Sequence, residues 1–201
     1  KITFERFFSI VQKELSCQKI SLTVLKGNPE ISFVSQMNGN VYNEDSNYDE
    51  IFWEDRGCGF EENFGFLSTE TKDNPFNTPR YTVTYAMDNR FSEPVKGLEQ
   101  QEEMFVAKSF SLKGEVGKTY SLEKFVWVVT SRDVTLDQLA VAKNGLKDLE
   151  KENFTTLLKA QSEAWKKRWD QADVKIFGSD EAQQGIRFNM FQLFSTYYGE
   201  D

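Results

Sequence analysis

The chain has 201 residues, enough for one large or two small domains with a core of their own, since a domain of this size buries roughly 70% of its unfolded surface. Aromatic residues make up 14% and charged residues 28%, the composition of a folded globular protein, while a net charge of -8 and a pI near 4.8 exclude the clustered basic footprint that nucleic-acid binding requires. No apolar run approaches the roughly 20 residues of a membrane span, no charged and then apolar leader opens the chain, and the absence of histidine excludes Ser-His and Cys-His pairs and imidazole metal sites.

The chain therefore reads as soluble and cytoplasmic, with no nucleic-acid or membrane partner and no metal or other cofactor. Cys17 and Cys58 are too few for a disulfide framework and lie in no CxxC pair, so they are expected to be buried or idle thiols.

Period-2 patterning runs from Lys1 to about Ser131. Ile2, Phe4, Phe8 and Ile10 alternate, and Ile20, Leu22 and Val24 alternate with Ser21, Thr23 and Leu25. "KGNPE" at 26–30 and "QMNGN" at 36–40 carry the Asn-Pro and Asn-Gly signals of chain reversal. Further strands are predicted at 64–68, 80–87, 104–112 and 119–130. The last is apolar on both faces from Phe125 to Val129, as suits a strand held between two layers.

After Ser131 the period changes to 3.6. Leu136, Leu139, Leu146 and Leu149 line a helix beginning near Asp133, and Phe154, Leu157, Leu158, Trp165 and Trp169 line the next. A third is capped by Ser179, has Asp180 and Glu181 in its first turn, and carries a stripe of Ile186, Met190, Leu193, Phe194 and Tyr197. Strands followed by helices predict an α+β chain: an antiparallel β-sandwich and then helices.

Several motifs fail on inspection. "GEVGKT" at 114–119 lacks the first glycine of a phosphate-binding loop, Leu112 standing there, and it reads as a hairpin turn. "DSNYDE" at 45–50 starts like a calcium loop, but Glu50 replaces the turn glycine and Arg56 the bidentate glutamate. The segment 43–64 holds eight carboxylates, Glu44, Asp45, Asp49, Glu50, Glu54, Asp55, Glu61 and Glu62, with no spacing that singles out an acid/base dyad. Its aromatic residues Tyr48, Phe52, Trp53 and Phe60 read either as a long loop pinned onto a core or as a sugar-binding platform. "NFT" at Asn153 matches a glycosylation sequon, which carries little weight without a secretion signal.

"AWKKRWDQADVKIFGSDEAQQGIRFNMFQLFSTYYGED", from Ala164 onward, resembles the junction in glycoside hydrolase family 65, the maltose, kojibiose and trehalose phosphorylases, where a helical linker enters the catalytic (α/α)6 barrel. Trp165 and Trp169 fall in the linker helix, Asp173 and Ile176 in the extended link, and Gln183, Arg187, Phe188, Asn189 and Phe191 on the entering helix. "NEDSNYDEIFWE" is similar to an aromatic, acidic segment of that family's N-terminal sandwich. Ser179 and Gly185 depart from the pattern, standing where Asp and Ala are usual.

The resemblance implies a sandwich domain over 1–131, a helical linker over 132–178 and a truncated first barrel helix over 179–201. It implies that the chain is a piece of a larger enzyme that catalyses inverting phosphorolysis of a disaccharide, maltose by expectation, with inorganic phosphate as co-substrate. A carboxylic acid would protonate the glycosidic oxygen while phosphate attacks the opposite face. The family's general acid and its phosphate site belong to the barrel, so no catalytic or substrate-binding residue is assigned here. The rest of the barrel and a second copy of the protein are the expected partners. Two alternatives stay open: a same-family hydrolase using water, and a stand-alone carbohydrate-binding sandwich whose platform is Tyr48, Trp53 and Phe60.

Overall fold

A computed structural model describes residues 1–42 and 51–196. The chain divides into two compact units, Lys1–Leu158 and Lys159–Asp201. The described strands are β1 (Ile2–Phe8), β2 (Leu15–Thr23), β3 (Glu30–Asn38), β4 (Trp53–Glu61), β5 (Phe64–Thr71), β6 (Thr82–Phe91), β7 (Leu98–Glu102), β8 (Phe105–Lys113) and β9 (Thr119–Thr130). The helices are α1 (Gln138–Asp148), α2 (Phe154–Ala172) and α3 (Asp180–Thr196).

The first unit is a sandwich of two antiparallel sheets, a six-stranded one in the order β1-β2-β9-β6-β5-β4 and a three-stranded one in the order β3-β8-β7. β3 shows the purest alternation, with Ile31, Phe33, Ser35 and Met37 buried and the residues between them exposed, as expected of a strand with one face on a core and one in water. β9 lies at the centre of the large sheet and is apolar on both faces: Tyr120, Leu122 and Val126 face the small sheet, while Phe125 and Val129 face away from it.

α1 and the first turn of α2 cover that second face. Ala142, Leu146, Leu149 and Phe154 pack with Leu15, Cys17, Ala86, Phe125 and Val129. Polar links fix the layer in place. The Thr84 hydroxyl donates to Gln138 Oε1 at 2.9 Å, and Arg90, stacked over the Phe125 ring, donates to the carbonyls of Glu152 and Leu149 beyond the end of α1. Asn153 caps α2 by accepting from the Thr156 amide while Thr156 Oγ1 accepts from the Asn153 amide, a reciprocal pair. The "NFT" sequence is thus a helix start. α3 begins as expected, with Ser179 Oγ accepting from the Ala182 amide at 3.2 Å.

Several local expectations are corrected. Residues 36–38 finish β3 instead of turning, because Met37 is a core residue of that strand. "GEVGKT" is no hairpin: it links β8 of the small sheet to β9 of the large one, and "KGNPE" likewise links β2 to β3. The two links bond to each other, Gly114 N to Pro29 O at 2.7 Å and Gly117 N to Val24 O at 2.8 Å, and Gly117 sits at φ +83°, where glycine is favoured. The acidic segment is a strand from Trp53 onward, and the polar strand β7 was unforeseen. α1 starts at Gln138 rather than near Asp133, leaving Leu136 81% exposed. β1 forms, but its alternating Ile2, Phe4 and Phe8 are exposed while Phe7 packs against Phe154.

Candidate functional site

The carboxylates of 54–62 are the first acid/base candidates, and the fold gives each of those described a partner. Glu54 accepts from Arg80 Nη2 at 2.5 Å. Glu70 of β5 takes the Arg56 guanidinium and also lies 3.1 Å from Arg80. Asp55 Oδ1 accepts from the Gly57 amide at 2.8 Å, at the bulge that breaks the β4–β5 register. Glu61 and Glu62 face Lys143 and Lys147 of α1, with Lys143 Nζ 2.9 Å from Glu61. Hydrogen bonds from Lys147 and then Lys143 hold the Glu62 carboxyl below its ordinary pKa. A general acid for glycosidic cleavage needs the opposite shift. Glu44, Asp45, Asp49 and Glu50 lie outside the described residues.

Of the aromatic residues of the same segment, Trp53 and Phe60 turn inward, while Phe52 is 39% exposed. Trp53 and Phe60 stand at opposite ends of β4, both half-buried, and both pack against the cluster of Met37, Leu67, Met87, Met104, Val106 and Val126. Lys108 lies over the Phe60 ring at 5.9 Å. They hold β4 to the core and do not form one exposed plane; Tyr48 lies outside the described residues.

An open cleft of about 350 Å³ runs along the inner face of the large sheet, with Val126, Val128 and Leu67 as its floor and Phe8, Trp53, Tyr85, Gln18 and Lys124 among its walls. Burial lowers the Lys124 pKa from 10.5 to about 8; its ammonium donates to the Gln36 carbonyl at 2.6 Å. Sequence reading passed over this residue. The signal was present, because Lys124 interrupts the inward series Tyr120, Leu122, Val126, Val128. Both thiols are free: Cys17 is buried, its pKa pushed up to about 12 by burial and then by Glu123, and Cys58 donates to the Glu102 carbonyl at 3.0 Å. Among the described residues no three His, Cys, Asp or Glu side chains converge as metal ligands.

The second unit gathers the residues that carry the family resemblance. Asp173 receives both Arg187 Nε at 2.9 Å and Arg187 Nη2 at 2.6 Å, a two-pronged pair. Gln183 spans the extended link, donating to Val174 O at 2.9 Å and accepting from Ile176 N at 2.8 Å. Trp165 packs on Phe191 with ring centroids 5.1 Å apart, and Trp169 on Phe194 at 5.6 Å. These contacts tie α3 to α2 and to the extended segment between them.

The model of the N-terminal domain of glycosyl hydrolase family 65 matches residues 1–168. The chain belongs to this family. It is 42% identical to the maltose phosphorylase of Bacillus subtilis (strain 168) over 100% of the chain and 26% of that protein. It is 28% identical to the α,α-trehalose phosphorylase of Thermoanaerobacter brockii over 98% of the chain and 26% of that protein. A solved structure assigned as a kojibiose phosphorylase from the human microbiome superposes on 100% of the chain and 25% of its own length, with a TM-score of 0.85 at 23% identity, which establishes the shared fold. The family member described here thus spans about a quarter of the length of the relatives it matches.

Proposed function

We propose that the chain is a non-catalytic part of an inverting disaccharide phosphorylase that converts maltose and phosphate into glucose 1-phosphate and glucose. One observation carries this reading: the 42% identity to a maltose phosphorylase, sustained over the full length of the chain. In this reading residues 1–131 are part of the N-terminal sandwich, 132–178 the helical linker and 179–201 the first helix of an (α/α)6 barrel, in a cytoplasmic homodimer. The chain's share of the work is structural: to present α3 at a fixed angle through the Asp173–Arg187 and Gln183 contacts. The described carboxylates support a non-catalytic role, since those of 54–62 are engaged by cations or by backbone.

The deciding experiment is an assay of the whole protein for phosphate-dependent release of glucose 1-phosphate from maltose. Release of free glucose alone would replace the phosphorylase reading with a hydrolase. The 201-residue chain by itself is expected to show no turnover. Measurable maltose phosphorolysis by it would overturn the proposal, and saturable quenching of its tryptophan fluorescence by maltose would favour a sugar-binding module.

A further inference from the structure

The two sheets of the sandwich differ in reach, and the difference leaves a cleft whose two ends are chemically unlike. β3 contributes its last core residue at Met37 and ends at Asn38, whereas β9 runs on past Val126 to Thr130, with β6 and β5 beside it. The inner face of the large sheet is only partly roofed there. Val128 and Tyr85 are half-buried, and the cleft of about 350 Å³ lies over them.

Polarity changes along this cleft in one direction. Lys124, Val126 and Val128 line it in succession on β9, a span of roughly 13 Å at the rise of a β-strand. At its first end Lys124 lies beside Gln18, its cross-strand neighbour on β2, and Ser16 follows opposite Val126. Beyond them the floor is hydrocarbon, Val126, Val128 and Leu67, and Trp53 stands on the side of β5 away from β9. Lys124 is the one charged side chain among the described lining residues, and none of them is a carboxylate. Its ammonium gives a hydrogen to the Gln36 carbonyl at 2.6 Å, which leaves two of its three for another acceptor. The burial that lowers its pKa to about 8 would be offset by an anion at this end.

We propose that this cleft binds a medium-chain fatty acid, its carboxylate on Lys124 and its chain laid over Val126, Val128 and Leu67 toward Trp53. A chain of about ten carbons matches the span at ordinary C–C bond lengths. The carboxylate only accepts hydrogen bonds, and Lys124, the Gln18 amide and the Ser16 hydroxyl can all donate them. A bare inorganic anion would leave the hydrocarbon floor uncovered, and a sugar would set hydroxyls against Val126, Val128 and Leu67 without partners. The site does not rest on the proposed phosphorolysis and survives its failure.

The test is isothermal titration calorimetry of the 201-residue chain with sodium hexanoate, octanoate and decanoate, all below micelle-forming concentrations. The expected result is saturable binding that tightens roughly threefold with each added methylene. 1-Octanol, which keeps the chain without the charge, should bind roughly tenfold more weakly than octanoate, the loss of the charge-assisted contact. Lys124→Met, checked for folding by circular dichroism, should bring octanoate down to the level of the alcohol, and Lys124→Gln takes its place should that variant misfold. NMR locates the site. The indole N–H signal lost in Trp53→Phe should shift with decanoate and saturate with the calorimetric affinity. The alcohol comparison and the Trp53 signal decide the matter even if neither lysine variant folds. No saturable binding, equal affinity for octanoate and 1-octanol, undiminished affinity in a folded Lys124 variant, or a Trp53 signal that does not move would overturn the proposal.

Discussion

Gly145 of α1 rests against the indole of Trp127 on β9, so that a Cβ placed at 145 would fall well inside van der Waals contact of the ring atoms Cε2 and Cδ2. This close approach sets the spacing of α1 over the large sheet. Alanine would improve helix propensity by up to about 1 kcal/mol, but displacing the large, half-buried ring of Trp127 costs about 1–3 kcal/mol. Gly145→Ala is therefore expected to destabilise the chain in urea unfolding. Gly185 is the internal control. Nothing lies within 4 Å of a Cβ there, so Gly185→Ala should raise helix stability by roughly 0.5–1 kcal/mol. A stable Gly145→Ala chain would mean that α1 does not pack on Trp127.

Lys124 should make the stability of the chain rise with pH above neutrality. Its folded pKa is lowered to about 8 from an unfolded 10.5, so the folded chain releases the proton first. Below pH 8 folding carries the whole burden of the buried charge. Between pH 8 and 10.5 the burden is progressively relieved as the folded amine is already neutral. The shift corresponds to roughly 3 kcal/mol at about 1.4 kcal/mol per unit. In phosphate-free buffer, Lys124→Met should be more stable than the parent chain at pH 7, and the advantage should shrink by pH 10. Urea midpoints across that range would show it, and a pH-independent difference would contradict it.

The Asp173–Arg187 pair predicts an acid-sensitive joint. Hydrogen bonds from Arg187 hold the Asp173 pKa below its ordinary 3.8. The stabilisation is present above that ordinary value and is lost as pH falls through the depressed folded one. NMR titration of the Asp173 carboxyl should give a midpoint below 3.8 that returns toward it in Arg187→Gln. Arg187→Lys should restore only part of the shift, since an ammonium cannot make the two-pronged contact. A normal midpoint in the parent chain would show that the pair does not form in solution.

Much of the fold was legible wherever a single periodicity decided it. β9 occupies the predicted 119–130, β5, β6 and β8 lie within a few residues of their predicted positions, and the Ser179 cap forms. What failed was partnering, which local sequence does not encode. The turn signals at 26–30 and 114–119 were real, yet they lead between sheets, because strand pairing is set by contacts distant along the chain. β7 reads LEQQE and carries no apolar alternation; it exists because β8 offers an edge and Lys108 a partner for Glu99. In β1 the conspicuous Phe4 and Phe8 are exposed, and the packing falls to Phe7 on the other face. The acidic segment looked like surface because Arg80, Lys143 and Lys147, which pair with Glu54, Glu61 and Glu62, lie far from it along the chain. Asp173, Gln183, Arg187 and Trp165 stood out only through the family pattern; the structure adds that they make contacts within the second unit, with one another or with Val174, Ile176 and Phe191.

The apolar stripe expected on α3 is divided in the structure, and the division predicts how the chain behaves in solution. Phe194 packs on Trp169 and Phe191 on Trp165, and Ile186 and Met190 are half-buried. Leu193 is 68% exposed and Phe188 60% exposed, with Phe177 before the helix at 91%, while Tyr197 lies outside the described residues. Each exposed side chain of this size forgoes on the order of 1.5–3 kcal/mol of burial, and neighbouring ones favour association. The isolated chain should therefore self-associate through Phe188 and Leu193. Replacing both by Glu should shift it toward monomer in analytical ultracentrifugation while leaving its unfolding midpoint unchanged. Met190→Glu with Phe194→Glu should act differently, because Phe194 belongs to the packed side. That pair should free α3 from Trp169, seen as a loss of helical signal and a red shift of tryptophan emission, with the sandwich still folded. If the Phe188 and Leu193 changes leave the association intact, contact between copies lies elsewhere, with the exposed Ile2, Phe4 and Phe8 on the sheet edge as the next surface to alter.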